Sequence, residues 1–337
     1  MLTNENRYSD IQVFLSKETF LLGASKNKVF DLLNNELITE FKENVLKIVS
    51  DGRRIYTSDI YGNGKVLLNN KILELEYPVT HVFGSGNCIC HLRNPKRTAL
   101  LNNQWEIIWE LDFRSLEFVY DEELIYLRDR RDEENNIIVA VSLESGKKVW
   151  NKSLKDFERG KDFGRFIGIH GSDILFATRH PEAIIVLNKD TGNVSKIFGS
   201  EIIEEYDTSI EYFKLDKKNN KLVNPHGEIE LNTQVFNPTN LKDQFKDIDL
   251  SVPGVYPFTF DDNFIFFGVQ KHIAPQTKKY RCIGELLVLD RQTGDVVYSQ
   301  KINDKKEDAG IKQIELYNDK LYVLDSFGYL TTYMIHC

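Results

Sequence analysis

Cys88-Ile-Cys-His91, with His81 upstream, puts two thiols and an imidazole within four residues. On a strand, Cys88 and Cys90 share one face, because side chains alternate with period two. Zinc sites usually use Cys-x2-Cys, which turns the chain around the ion, and Cys-x-Cys on a strand splays too little to do so alone. The expectation is therefore two buried thiols acting as small apolar residues, with no metal. The other histidines are His170, His180, His226, His272 and His336, and none sits in a nucleophile or zinc motif. Gly-x-Ser-x-Gly, His-Glu-x-x-His and the phosphate-binding Gly-rich loop are all missing.

The other residues with chemical potential are cations. Arg93, Lys96 and Arg97 form one group; Arg128, Arg130 and Arg131 form a second; Arg179 and His180 a third. Lys271, His272, Lys278, Lys279 and Arg281 form a fourth. Asp129, Asp132, Glu133 and Glu134 partly offset them. Clustered Arg suits bidentate recognition of carboxylate or phosphate and is enriched at protein interfaces. Yet the chain has 43 Lys+Arg against 51 Asp+Glu, a net charge of -8, which argues against a general nucleic-acid binder. An opposing acidic, aromatic-bearing stretch runs from Glu201 to Asp207, with Glu211 and Asp216 behind it.

What positions these residues is a repeat. Val141–Trp150, Leu187–Lys196 and Leu289–Tyr298 align without gaps as strand, tight turn, strand. Gly146, Gly192 and Gly294 supply the left-handed turn position. Asn188 or Asp290 at the turn's start, and the Ser or Thr before the glycine, can hydrogen-bond the turn backbone. Three further hairpins place Asn-Asn at the turn: Asn34-Asn35, Asn69-Asn70 and Asn102-Asn103. Two short apolar runs precede each hairpin, so each unit is about four strands, labelled A to D. The A strands begin near residues 11, 45, 80, 115, 165, 209, 257 and 312. That spacing matches the four-stranded blade of a β-propeller. The fold expected over residues 1–337 is one all-β domain of eight repeat phrases. It falls to seven blades if the polar phrase at 200–254 is an insertion. The last phrase has three strands, so the ring is expected to close on the N-terminal segment.

Leu-Asp-x-x-Thr-Gly-x-x-x-aromatic, best matched by Leu289–Tyr298, resembles the repeat of the pyrroloquinoline-quinone-like β-propellers, and Trp150 supplies the repeat's Trp. The resemblance implies the propeller fold. The family's quinoprotein enzymes use an adjacent Cys-Cys pair, a stacking Trp and a calcium site, and are exported. Here Ile89 separates the cysteines, and Trp105, Trp109 and Trp150 all lie in C–D hairpins. The resemblance therefore implies a non-catalytic member without cofactor.

In a propeller the B–C loops share one face, so Arg93, Arg97, Arg128, Arg130, Arg179, His180, Lys271 and His272 are expected there as partner-binding residues. The expected function is binding a protein, possessing an acidic surface, with a toxin-neutralising immunity protein as one case. The alternative is an enzyme or small-ligand binder of hydrolase or lyase type at the ring's central mouth. Met1 to Asp10 has no apolar h-region and no run spans a membrane, so a cytoplasmic protein is expected.

Overall fold

The computed structural model describes residues 2–17, 20–59, 62–92, 96–115, 117–129, 131, 136–157, 162–180, 182–203, 209–241, 257–272, 282–302 and 310–336. Eight antiparallel four-stranded sheets form eight blades. Blade 1 runs from Val13–Lys17 to Glu36–Glu40, blade 2 from Lys47–Ser50 to Lys71–Leu75, and blade 3 from Val79–Val82 to Ile107–Leu111. Blade 4 runs from Phe118–Tyr120 to Lys148–Ser153, blade 5 from Asp162–His170 to Val194–Gly199, and blade 6 from Lys214–Asp216 to Phe236–Pro238. Blade 7 runs from Phe258–Phe260 to Val296–Lys301. Blade 8 takes three strands from Ile311–Tyr317 to Leu330–Ile335, and the N-terminal Leu2–Tyr8 is its fourth. The ring thus closes as the short last phrase required.

The polar phrase from about 200 to 250 is a blade, not an insertion. Lys214–Asp216, Lys221–Asn224, Gly227–Glu230 and Phe236–Pro238 make an ordinary ladder. Its strands look weak because they are three or four residues long. Leu222, Val223 and Ile229 are nonetheless completely buried.

Burial follows position in the blade. Middle strands such as Ile137–Ser142 and Ala183–Asn188 are buried almost throughout, whereas outer strands such as Lys71–Leu75 and Val296–Lys301 are largely open to solvent. The A strands of adjacent blades touch, as between blades 1 and 2, 2 and 3, 4 and 5, and 8 and 1, so the A strands surround the axis. Eight separate apolar clusters fill the junctions, one between each pair of neighbouring blades. Period-two alternation produces this arrangement, because each blade buries both faces. In the strand Cys88–Leu92, Ile89 joins the junction of blades 3 and 4 while Cys88 and Cys90 join that of blades 2 and 3.

The turns carry the expected chemistry with one difference. Gly146, Gly192 and Gly294 have φ of +69°, +68° and +74°. Asn188 and Asp290 accept hydrogen bonds from the backbone two and three residues on. Asn35, Asn69 and Asn70 are left-handed, but at Asn102-Asn103 the left-handed residue is Trp105, φ 66°. There Asn102 acts through its side chain, accepting from the backbone of Gln104 and Glu106.

Candidate interaction face

Backbone hydrogen bonds join the loops into two faces. B–C loops bond to D–A connections on the upper face, as in Val45 N–H to the Lys26 carbonyl and Ser326 N–H to that of Gly310. A–B loops bond to C–D turns on the lower face, as in Lys189 N–H to Ser172 and Arg291 N–H to Asn263. Among the described residues, the cations read from the sequence therefore belong to the upper end of their blades, but several are strand residues rather than loop residues. Arg97 opens the C strand Arg97–Leu101, and Arg128 lies inside the B strand Leu124–Asp129. Arg179 ends the B strand Asp173–Arg179, and Lys271 and His272 end Phe264–His272. The apolar runs stop earlier, yet the ladder continues, because strand pairing is made by the backbone and needs no apolar side chain.

Their surroundings differ. Arg97 is paired with Glu110 on the neighbouring D strand. Arg128 donates through Nη2 to Asn136 Oδ1 at 2.8 Å and lies 4.7 Å over the Phe163 ring, bridging blades 4 and 5. Arg131 pairs with Asp129 at 2.6 Å and with Asp112. Arg179 is exposed, and so is His180, which takes the left-handed position of its turn at φ 52°. Arg93 and Arg130 lie outside the described residues. So do Lys278, Lys279, Arg281 and residues 204–208 of the acidic stretch. Of the rest of that stretch, Ile203 is buried in the core between blades 5 and 6. Asp216 is no part of an acidic edge: it is buried and ion-paired with Arg291 at 2.7 Å.

On the lower face Arg291 pairs with two carboxylates. It leaves the C–D turn of blade 7 and meets Asp216 at 2.7 Å and Glu228 at 2.5 Å in blade 6. It also donates to the Asp261 carbonyl at 2.5 Å. Burial pushes the Asp216 carboxyl up, but hydrogen bonds from Asn219 and Arg291 hold it below the usual carboxylate range.

A set of inner-strand cations escaped the sequence reading. Lys47 of blade 2 donates to the Thr80 carbonyl of blade 3 at 2.9 Å. Arg165 of blade 5 donates to the Phe213 carbonyl at 3.4 Å, at the entry to blade 6. Lys214 of blade 6 donates to the Phe258 carbonyl of blade 7, and Lys312 of blade 8 to the Gln12 carbonyl at 2.5 Å, at the entry to blade 1. Each stands at or near the start of an A strand, hence toward the upper face. Burial, then Arg165, lowers the Lys214 ammonium to about 8. A repeat-by-repeat alignment of A-strand starts was the signal that could have found them.

Cys88 and Cys90 are completely buried free thiols, and burial raises both above the usual thiol range. His91 is buried beside them and lowered to about 3, by burial first and then by Arg114 and Lys47. His81 points elsewhere: its Nε2 lies 2.9 Å from the Tyr120 hydroxyl, amid Phe83 and Phe118. No group of three or more metal-capable side chains occurs among the described residues. Among them, too, no helix is long and apolar enough to cross a membrane.

No family model and no curated protein matches this chain. Solved structures match its fold. BamB from Moraxella catarrhalis aligns with a TM-score of 0.65 and 11% identity over 99% of this chain and 100% of that one. The computationally designed Ika8 protein aligns with 0.66 and 9% over 97% and 96%. Sqt1 of Saccharomyces cerevisiae aligns with 0.63 and 10% over 100% and 98%. At these identities the likeness establishes the β-propeller and nothing finer.

Proposed function

We propose that this propeller is a non-catalytic protein-binding module whose upper face receives an acidic partner. The observation that carries the reading is the B–C hairpin of blade 7. Its ladder continues through Gln270↔Gly284, Lys271↔Ile283 and His272↔Cys282. The flanking outer strand makes its last pair at Lys301↔Glu285, and the inner strand begins at Phe258, opposite Phe267. Three further rungs at about 3.3 Å each extend this arm by about 10 Å. A two-stranded extension adds little stability in water, so its value lies in reach. It rises on the face that also carries Arg97, Arg128, Arg179 and His180. A rigid ring presenting such projections is how binding residues are usually held.

The reading as a pyrroloquinoline-quinone-like repeat is supported by Trp109 and Trp150. Their indole N–H groups donate to the Leu143 and Lys189 carbonyls of the next blade at 2.9 and 2.8 Å. They brace turns and hold no cofactor in this reading. A toxin-neutralising immunity protein in the cytoplasm fits a single propeller without a catalytic motif.

Co-purification from the native host tests the proposal. Wild type is compared with the upper-face variant Arg130→Glu/Arg179→Glu and with Lys218→Glu, which lies in the lower-face A–B loop of blade 6. A protein retained by wild type and Lys218→Glu but lost by the upper-face variant supports it. Retention by all three, or loss only with Lys218→Glu, overturns the choice of face.

A further inference from the structure

We infer that the axial mouth on the upper face, ringed by Lys47, Arg165, Lys214 and Lys312, takes a carboxylate-rich peptide segment of the protein partner. This rests on the protein-binding reading and adds a second, central subsite to the outer loops.

The geometry is a repeated one. Four cations from blades 2, 5, 6 and 8 each reach a backbone carbonyl in or just before the inner strand of the next blade. An ammonium has three donors and a guanidinium five. For Lys47, Lys214 and Lys312, the bond to a carbonyl fixes the ammonium in place without neutralising it. The side-chain entropy that ordinarily opposes ion pairing is thereby reduced before a ligand arrives. Lys47 and Lys312 remain exposed while engaged in this way.

The charges are spread around the axis over four blades instead of converging on one point. That distribution fits an extended chain of carboxylates better than a single small anion. Acids temper it: Glu315 of blade 8 faces Lys214, and Glu117 precedes the inner strand of blade 4. With a net charge of -8 over the whole chain, a nucleic acid is the poorer match.

Lys214 supplies an independent readout. It is faced by Arg165 from blade 5 and Glu315 from blade 8, and its ammonium is lowered to about 8. An incoming carboxylate stabilises the charged form, so binding near pH 8 draws a proton from solvent.

The probe is a hexaglutamate peptide, titrated by calorimetry at pH 8 in two buffers of different ionisation enthalpy. The comparison set is wild type, Lys47→Gln/Lys214→Gln and Lys214→Arg, with thermal melting as the fold control. The expected result is salt-sensitive binding with proton uptake by wild type. Lys47→Gln/Lys214→Gln weakens it about tenfold, equal to about 1.4 kcal/mol. Lys214→Arg retains affinity but loses the uptake. If the glutamine variant does not fold, the arginine variant alone decides through proton uptake. No binding by wild type, equal affinity in the glutamine variant, or uptake that persists in Lys214→Arg overturns the inference. Inorganic phosphate competing at equal concentration overturns it too, in favour of a small-anion site. If hexaglutamate fails here while Arg130→Glu/Arg179→Glu still abolishes partner capture, the axial subsite falls and the face remains.

Discussion

Trp150 of blade 4 and Gly192 of blade 5 are in direct contact: a Cβ on Gly192 would lie 2.8 Å from two carbons of the indole ring. The same ring donates its N–H to the Lys189 carbonyl at 2.8 Å, so it spans the turn that Gly192 closes. Trp109 and Gly146 repeat the relationship one blade earlier, with the Cβ position 2.4 Å from the Trp109 side chain. At Gly294 no Trp is present, and Asn240 takes its place, donating backbone N–H to the Gly294 carbonyl at 2.8 Å. Each device ties one blade's outer strand to its neighbour's turn.

Gly192→Val is therefore expected to destabilise the fold more than Gly294→Val. Both lose the left-handed position, a strain of about 1–3 kcal/mol. Only the first also collides with an indole, since the nearest atom at Gly294 is the Thr239 Cα at 3.2 Å. Urea melts of the two variants check this, and equal midpoints would contradict the contact. Trp150→Phe should cost about 1 kcal/mol for the lost hydrogen bond, with added loss from the smaller ring.

The blade repeat was legible because Gly, Asn and Asp have conformational and hydrogen-bonding roles that turn geometry demands. Leu289-Asp-Arg-Gln-Thr-Gly294 announces its turn without any tertiary information. Blade 6 was hard to read because burial of Leu222, Val223 and Ile229 depends on neighbours, not on a long apolar run. Arg97, Arg128, Arg179, Lys271 and His272 lie toward the B–C end of their blades. Arg97 and Arg128 were nonetheless put in loops, since an apolar run ends before its ladder does. The inner-strand cations were harder to read because Lys47, Lys214 and Lys312 sit far apart in sequence, and only alignment of the A-strand starts relates them.

Arg291→Leu should destabilise by about 3–5 kcal/mol near neutral pH, because Asp216 is left buried without its cation and Glu228 keeps only Lys221. The pH dependence has a defined sign. Asp216 is held below the usual carboxylate range in the folded state. Its contribution is full above the unfolded value of about 3.9 and declines as pH falls toward the lower folded value. Wild type should thus lose stability on acidification below about pH 4 more steeply than Arg291→Leu. Chemical denaturation across pH 3 to 7 measures the gap, and a gap of constant size would refute the ion pair's role.

Cys88 and Cys90 should not react with a thiol reagent in the native state. Both are completely buried and their thiolates are disfavoured by burial. In a Cys282→Ser/Cys337→Ser background, Ellman's reagent should release no colour until denaturant is added. Prompt release of two equivalents would contradict the packing of the junction between blades 2 and 3.

Removing the first eight residues should open the ring. Leu2–Tyr8 pairs with Leu330–Ile335, and Leu2 is buried in the core between blades 7 and 8. The truncated chain exposes the edge of Leu330–Ile335, which invites pairing with other chains. Light scattering should show association and calorimetry a lower melting temperature; a monomer with the parent melting curve would show that closure does not depend on this strand.

The central claim is that the upper face receives an acidic protein, and its most direct test is kinetic. The co-purified partner is immobilised, and surface plasmon resonance compares wild type with Arg130→Glu/Arg179→Glu at low and physiological salt. Steering by exposed cations acts over a screening length of about 8 Å at physiological salt and mainly sets association. The account predicts that charge reversal slows association, that added salt slows the wild type likewise, and that dissociation changes little. Unchanged association at both salt concentrations would contradict it.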